Sequence, residues 1–96
     1  MPKGYVVATV NVTDPAKWAE YAKDASEAIR QYGGRPLVRG GKHEPLEGQP
    51  GARNVVIEFE SLDQALKYYR SPEYQAAKLK RAGAGTGHFV AVEGTD

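Results

Sequence analysis

Gly4-Tyr5-Val6-Val7-Ala8-Thr9-Val10-Asn11-Val12 is the stretch on which the fold turns. Its valines, tyrosine and threonine suit a β-strand, and alternate side chains of a strand point to opposite sheet faces. Positions 6, 8, 10 and 12 are Val, Ala, Val and Val, a wholly apolar row that predicts a core. Positions 5, 7, 9 and 11 are Tyr, Val, Thr and Asn. That second row is neither greasy nor fit for open water, and it predicts the lining of a cavity, a partner surface or a ligand site.

Downstream, Thr13-Asp14-Pro15 predicts a helix start with Asp14 as N-cap and Pro15 at the first helical position, where its missing N–H is harmless. Trp18, Ala22, Ala25, Ile29 and Tyr32 form one apolar stripe, with Tyr21 beside it. Gly33-Gly34 ends the helix, Gly33 as a left-handed cap. Arg35 to Arg39 reads as a second strand, at an edge because Pro36 cannot donate to a ladder. Residues 40–51 form a long loop, and part of it is expected to extend the edge strand after a glycine bulge. Asn54 to Glu60 is a third strand, with Val55, Ile57 and Phe59 on one face and Asn54, Val56, Glu58 and Glu60 on the other.

Ser61-Leu62-Asp63-Gln64 is a capping box. It opens a helix expected to bury Leu62, Ala65, Leu66 and Tyr69 and to leave Tyr68 for a partner. Ser71-Pro72 kinks or restarts that helix, which runs on to about Arg81 and is terminated by Gly83, Gly85 and Gly87. His88 to Glu93 is the fourth strand. The order β-α-β-β-α-β predicts one α+β domain over residues 1–96. It is a ferredoxin-like sandwich with a four-stranded antiparallel sheet and two helices on one face. Tyr5, Val7, Val56 and either Phe89 or Val90 then occupy the other face, which is too apolar to stay bare.

The 96 residues carry 13 Lys and Arg, 12 Asp and Glu, a net charge of +1 and no cysteine. This balance gives no case for a polyanion partner, and the lack of thiols excludes disulfides, thiolate metal sites and cysteine nucleophiles. No secretory leader or membrane-length apolar run is visible, so a cytoplasmic, soluble protein without membrane contact is expected.

Gly4-Tyr5-Val6-Val7, Asp14-Pro15, Tyr21, Gly33-Gly34-Arg35, Leu37-Val38-Arg39-Gly40-Gly41, Leu46-Glu47-Gly48, Ile57-Glu58-Phe59, Ser71-Pro72-Glu73-Tyr74 and Val92-Glu93-Gly94 carry a further signal. Through them the chain resembles, over nearly its whole length, a family of short bacterial domains of unknown function in the dimeric α+β barrel superfamily. The resemblance implies a homodimer that pairs sheet to sheet and encloses a cavity in each half. Wider members of that superfamily include cofactor-independent monooxygenases, muconolactone-type isomerases and haem-binding chlorite dismutases, whose activities do not follow from the fold.

Arg39 and Glu58 lead the candidate catalytic residues. By parity both fall on the face away from the helices, on neighbouring strands, where a charge pair could anchor a carboxylate or place a general acid. The plainer reading, a structural ion pair at a dimer seam, stands ahead of it. His88, at a strand end, is the third candidate, as a general base. Tyr5, Thr9, Asn11 and Asn54 are polar groups of the same face that could orient a ligand or satisfy one another. Tyr74, with Arg70, Lys78 and Arg81, makes a basic and aromatic strip that could take an anion at a cavity mouth; a Tyr74 packed in the core is favoured. His43 is read as a solvated loop residue. No spacing points to a metal or haem, and no cofactor is expected. Glu58 and Glu60 on the third strand oppose the RNA-recognition use of this topology, so no nucleic-acid partner is expected. The expected function is binding of a small organic molecule by a homodimer, in a cavity between the sheet and the partner subunit. The alternative is a cofactor-independent isomerase or monooxygenase using Arg39, Glu58 and His88.

Overall fold

The structure, a computed structural model, describes residues 2–95. Its elements are β1 (Gly4–Val12), α1 (Pro15–Gln31), β2 (Arg35–Arg39), β3 (Arg53–Phe59), α2 (Leu62–Tyr69), α3 (Pro72–Lys80) and β4 (Gly85–Glu93). The four strands form one antiparallel sheet in the order β2-β3-β1-β4, so β1 is central and β2 lies at an edge, as Pro36 requires. This is the expected ferredoxin-like α+β architecture. The second helical crossover is two helices rather than one, broken at Ser71-Pro72. Ser71 makes the break. Its Oγ accepts from Tyr74 N (3.1 Å) to cap α3 and donates to Tyr68 O (2.7 Å) at the end of α2.

The other helix ends follow their local chemistry. Asp14 Oδ1 accepts from Lys17 N (3.1 Å) at the start of α1, and Gly33, with φ +77°, turns the chain out of it. Ser61 caps α2 by accepting from Gln64 N (3.1 Å). The expected capping box is half made, because Gln64 Nε2 donates to Tyr32 O (2.8 Å) at the end of α1. This bond ties the end of α1 to the start of α2. Gly85 and Gly87, expected as helix terminators, lie inside β4, which therefore starts three residues earlier than the sequence predicts.

Val6, Ala8, Val10, Ile57 and Phe59 are buried beneath the helices. On α1 the most buried side chains are Trp18, Tyr21, Ala25, Ala28 and Ile29, so Tyr21 joins the core and Ala22 and Tyr32 flank it. On α2 the expected facing is reversed: Tyr68 is 2 % exposed and Tyr69 only partly buried. The pair Ala65 and Tyr68, three apart, points straight into the core, which leaves Leu66 and Tyr69 at its margin.

The face away from the helices is built in rows across the strands. Val38, Val56, Val7 and Val90 are successive cross-strand partners, one apolar band over all four strands. Val90 is 56 % exposed and Val92 46 %. Val90, not Phe89, therefore belongs to this face, and Phe89 packs against the core. The loop between β2 and β3 is exposed along residues 40–50, including Leu46, and no strand extends into it.

Candidate functional site

Two places concentrate chemistry: the open sheet face and a cleft under α1. On the open face, Glu58, Tyr5 and Val92 are cross-strand partners, and Tyr5 Oη donates to Glu58 Oε2 (3.1 Å). That bond is the main reason the Tyr5 hydroxyl is held above its usual pKa. Further along the same face, Asn54, Thr9 and His88 lie side by side. Their polar groups serve the chain itself. Thr9 Oγ1 accepts from Gly51 N, Asn11 Oδ1 accepts from Ala52 N (3.1 Å), and Asn54 Nδ2 donates to Gly51 O (3.4 Å). Thr9, Asn11 and Asn54 thus anchor the root of the long loop. Gly51 sits so close to the backbone of Val10 that a Cβ there would collide with it.

Arg39 is not beside Glu58. A bulge between Pro36 and Val38 inserts Leu37 as an extra residue, so that Val38 pairs with Val56 and Arg39 with Val55. One extra residue inverts every later facing. Arg39 is thereby turned to the helix side, and Arg35 becomes the partner of Glu58. Glu58 and His88 share the open face, but they partner Tyr5 and Thr9 on opposite flanks of β1. Strand spacing puts their Cα atoms about 16 Å apart. Arg39, Glu58 and His88 therefore do not converge within one subunit.

The cleft forms because α1 makes its close backbone approach to α3, while α2 is the helix that lies close on the sheet. Side chains fill most of the gap and leave a volume of about 60 Å³. Such a volume holds a few waters. Its floor includes Ala8, Val55 and Ile57, its roof Ala22 and Ala25 of α1, and its inner wall Tyr21, Tyr68 and Tyr74. Exposed Arg39 and Ser26 and half-buried Arg53 mark the open side. Among the described residues no Asp or Glu lines it.

Tyr74, expected at a cavity mouth or in the core, is 1 % exposed and stands at the centre of an aromatic cluster. Its ring centroid is 4.9 Å from those of Tyr68 and Tyr69 and 6.2 Å from that of Tyr21. The Tyr21 and Tyr74 hydroxyls share a hydrogen bond of 2.9 Å, and Arg81 Nη2 donates to Tyr74 Oη at 3.4 Å. The Arg81 guanidinium lies 4.5 Å from the Phe89 ring centroid, 5.1 Å from Tyr21 and 5.9 Å from Trp18. The sequence reading missed Tyr21, Tyr68 and Arg81 as a unit. The spacing of Tyr74 and Arg81 along one helical strip was the available signal.

Burial pushes the Tyr21 and Tyr68 hydroxyls well above the ordinary tyrosine pKa of 10.0; at Tyr21 the neighbouring Tyr74 oxygen adds to it. Burial works to lower the pKa of Arg81, but its bond to Tyr74 and the neighbouring phenols leave the net shift upward. The alkaline behaviour follows with a definite sign. Above pH 10 the unfolded chain releases these two phenolic protons and the folded chain keeps them, so stability falls as pH rises. The two groups together contribute a slope of up to about 2.7 kcal/mol per pH unit. Urea midpoints between pH 9 and 11 measure it, with absorbance at 295 nm counting tyrosinates. Two extra tyrosinates in a still-folded protein at pH 11 would contradict this account.

Among the described residues no group of three or more His, Asp or Glu could hold a metal ion, and no helix is long and apolar enough to cross a membrane.

Solved structures show the same fold. A protein of unknown function from Rhodopseudomonas palustris is 15% identical with a TM-score of 0.75, over 99% of this chain and 84% of that one. A dimeric protein of unknown function and ferredoxin-like fold from Bacteroides fragilis is 16% identical with a TM-score of 0.57, over 95% of each chain. SnoaB, a cofactor-independent oxygenase from Streptomyces nogalater, is 10% identical with a TM-score of 0.63, over 100% of this chain and 96% of that one. No curated protein matches the chain. Residues 3–95 match the family described as a domain of unknown function (DUF1330), and the chain belongs to that family.

Proposed function

We propose that the protein is a homodimer, joined through its open sheet faces, in which each subunit binds one small organic molecule in the cleft beneath α1. The observation that carries the ligand reading is the cleft itself: an apolar floor, a tyrosine wall and an open side flanked by Arg39 and Arg53. A site of this kind, concave and mostly apolar with a few convergent polar groups, is what small-molecule binding requires. The dimer reading rests on the exposed valine band and on the similarity to a Bacteroides fragilis protein described as dimeric. Tyr5, Thr9, Asn11 and Asn54 are then interface and loop-anchoring residues, and of the ligand-binding residues expected from the sequence Tyr74 lines the cleft.

A second reading, catalysis without a cofactor, is favoured by one observation. Tyrosine hydroxyls converge at the cleft wall with a guanidinium behind them, where a phenolic hydrogen could be given to an oxygen that gains charge during a reaction. The similarity to a cofactor-independent oxygenase agrees with it. Glu58 and His88 lie on the other side of the sheet from the cleft and have no part in this chemistry.

Trp18, the single tryptophan, lines the cleft and reports its occupancy. Native mass spectrometry of gently purified protein is expected to give a dimer with added mass that is lost on denaturation. Ala22→Leu, which fills the cleft from α1, is expected to yield the dimer without added mass and at least a tenfold weaker response of Trp18 fluorescence to small aromatic probes. A bare wild-type dimer whose Trp18 emission ignores both millimolar benzoate and benzyl alcohol would overturn the ligand reading.

A further inference from the structure

We infer that the ligand of the cleft is a small organic anion, an aromatic or other planar body carrying a carboxylate or enolate-type oxygen, seated with that oxygen against the tyrosine wall. This inference rests on the proposed ligand-binding reading and specifies its chemistry.

A count of protons supports it. Tyr21 and Tyr74 bring two phenolic hydrogens to one bond of 2.9 Å, and only one hydrogen can lie between the two oxygens. Arg81 can only donate, and it donates to the Tyr74 oxygen. Whichever phenol donates to the other, one O–H of the pair is left to point elsewhere. Arg81 Nε is also buried without any hydrogen-bond partner among the described residues. Buried donors ordinarily find an acceptor, and an orphan asks for an explanation. Both surplus donors belong to one cluster, and the two tyrosines of that cluster face the empty volume. An acceptor arriving in the cleft completes the leftover phenol.

Charge indicates the kind of acceptor. Arg39 and Arg53 line the cleft, Arg81 stands behind its Trp18, Tyr21, Tyr74 and Phe89 walls, and among the described residues no acidic side chain lines it. Such a site favours a negative oxygen over a neutral one, and the two outer arginines attract an anion towards the opening. Size indicates the pose. About 60 Å³ admits only the oxygen-bearing end and part of a ring, so the rest of the molecule extends between Ala22 and Val55 towards Arg39 and Arg53. Arg81 meets aromatic faces rather than the open volume, and its assigned role is positional. By donating to the Tyr74 oxygen it leaves the phenol pair with one hydrogen more than the pair can use, and its charge offsets that of the ligand.

The test is a pair of titrations on the full chain, benzoate against benzyl alcohol, followed by Trp18 fluorescence and by amide chemical shifts. Benzoate is expected to bind at least tenfold more tightly. Tyr21→Phe combined with Tyr74→Phe, and Arg81→Met alone, are each expected to remove most of that preference, with benzoate losing more than benzyl alcohol, and Arg81→Lys is expected to restore part of it. Should Arg81→Met fail to fold, the double phenylalanine variant keeps both rings and decides alone. Equal binding of the two probes to wild type overturns the anion inference and leaves the cleft as a ligand site. A benzoate preference that survives Tyr21→Phe combined with Tyr74→Phe overturns the assignment to the tyrosine wall. Binding of neither probe overturns the cleft and the inference together.

Discussion

Tyr74→Ala is expected to lower the stability of the protein by about 3–5 kcal/mol, whereas Tyr74→Phe lowers it by about 1–3 kcal/mol. The two substitutions remove different things. Alanine deletes a ring that is 1 % exposed and touches the rings of Tyr68, Tyr69 and Tyr21. The void it leaves adjoins the cleft and cannot collapse without moving α3. Phenylalanine keeps the ring and deletes only the oxygen that accepts from Arg81 and shares a bond with Tyr21. A small domain has only about 5–15 kcal/mol in total, so the alanine variant sits near the margin of folding at room temperature. Urea unfolding followed by far-ultraviolet circular dichroism measures both losses, and an unchanged m-value confirms that the transition still exposes the same surface, so that the shifted midpoint reads as stability. If alanine cost no more than phenylalanine, the cluster would owe its stability to the hydroxyl network and not to its packing.

The contrast between ring and hydroxyl also marks where sequence reading stops. The two faces of β1 are legible because a strand has period two, and Val6, Ala8 and Val10 are buried as that period requires. The caps at Asp14, Ser61 and Ser71 are legible because a cap is a local hydrogen bond. Arg39 was misplaced for a different reason. Its facing depends on a bulge at Leu37, set by how β2 meets β3 and by Gly40 N donating to Asn54 O (2.8 Å) across the strands. A one-residue slip leaves no mark in composition and inverts the outcome. Tyr68 and Tyr69 are adjacent on a short helix, and its rotation is fixed by Phe59, whose ring lies 5.0 Å from that of Tyr68. The Tyr21–Tyr74 bond joins residues 53 apart in the chain, so the cleft wall exists only once α1 and α3 are packed. Thr9, Asn11 and Asn54 were read correctly as polar groups of one face. Their partner, the returning end of the long loop, could not be read from strand periodicity.

Val7→Arg is expected to raise the dimer dissociation constant by about a thousandfold or more, while the subunit fold survives. Val7 lies inside the cross-strand band Val38–Val56–Val7–Val90, on the face away from the helices, so a longer side chain there does not disturb the core. In a symmetric sheet-to-sheet dimer each copy contributes the substitution, and the seam takes up two charges. Burying an unpaired charge costs several kcal/mol, and about 4 kcal/mol corresponds to that thousandfold change. Leu79→Arg, on α3 and 77 % exposed, is the control and should leave the dimer intact. Sedimentation equilibrium at micromolar concentration measures both. A wild-type monomer, or a Val7→Arg protein that stays as firmly dimeric as wild type, would show that another surface covers the valine band or that nothing does. The same variant also decides where the ligand sits. The cleft lies on the helix side of the sheet and contains no open-face residue, so monomeric Val7→Arg should bind benzoate with nearly the wild-type affinity. Loss of benzoate binding together with the dimer would instead place the site between the two sheets, among Tyr5, Thr9 and His88.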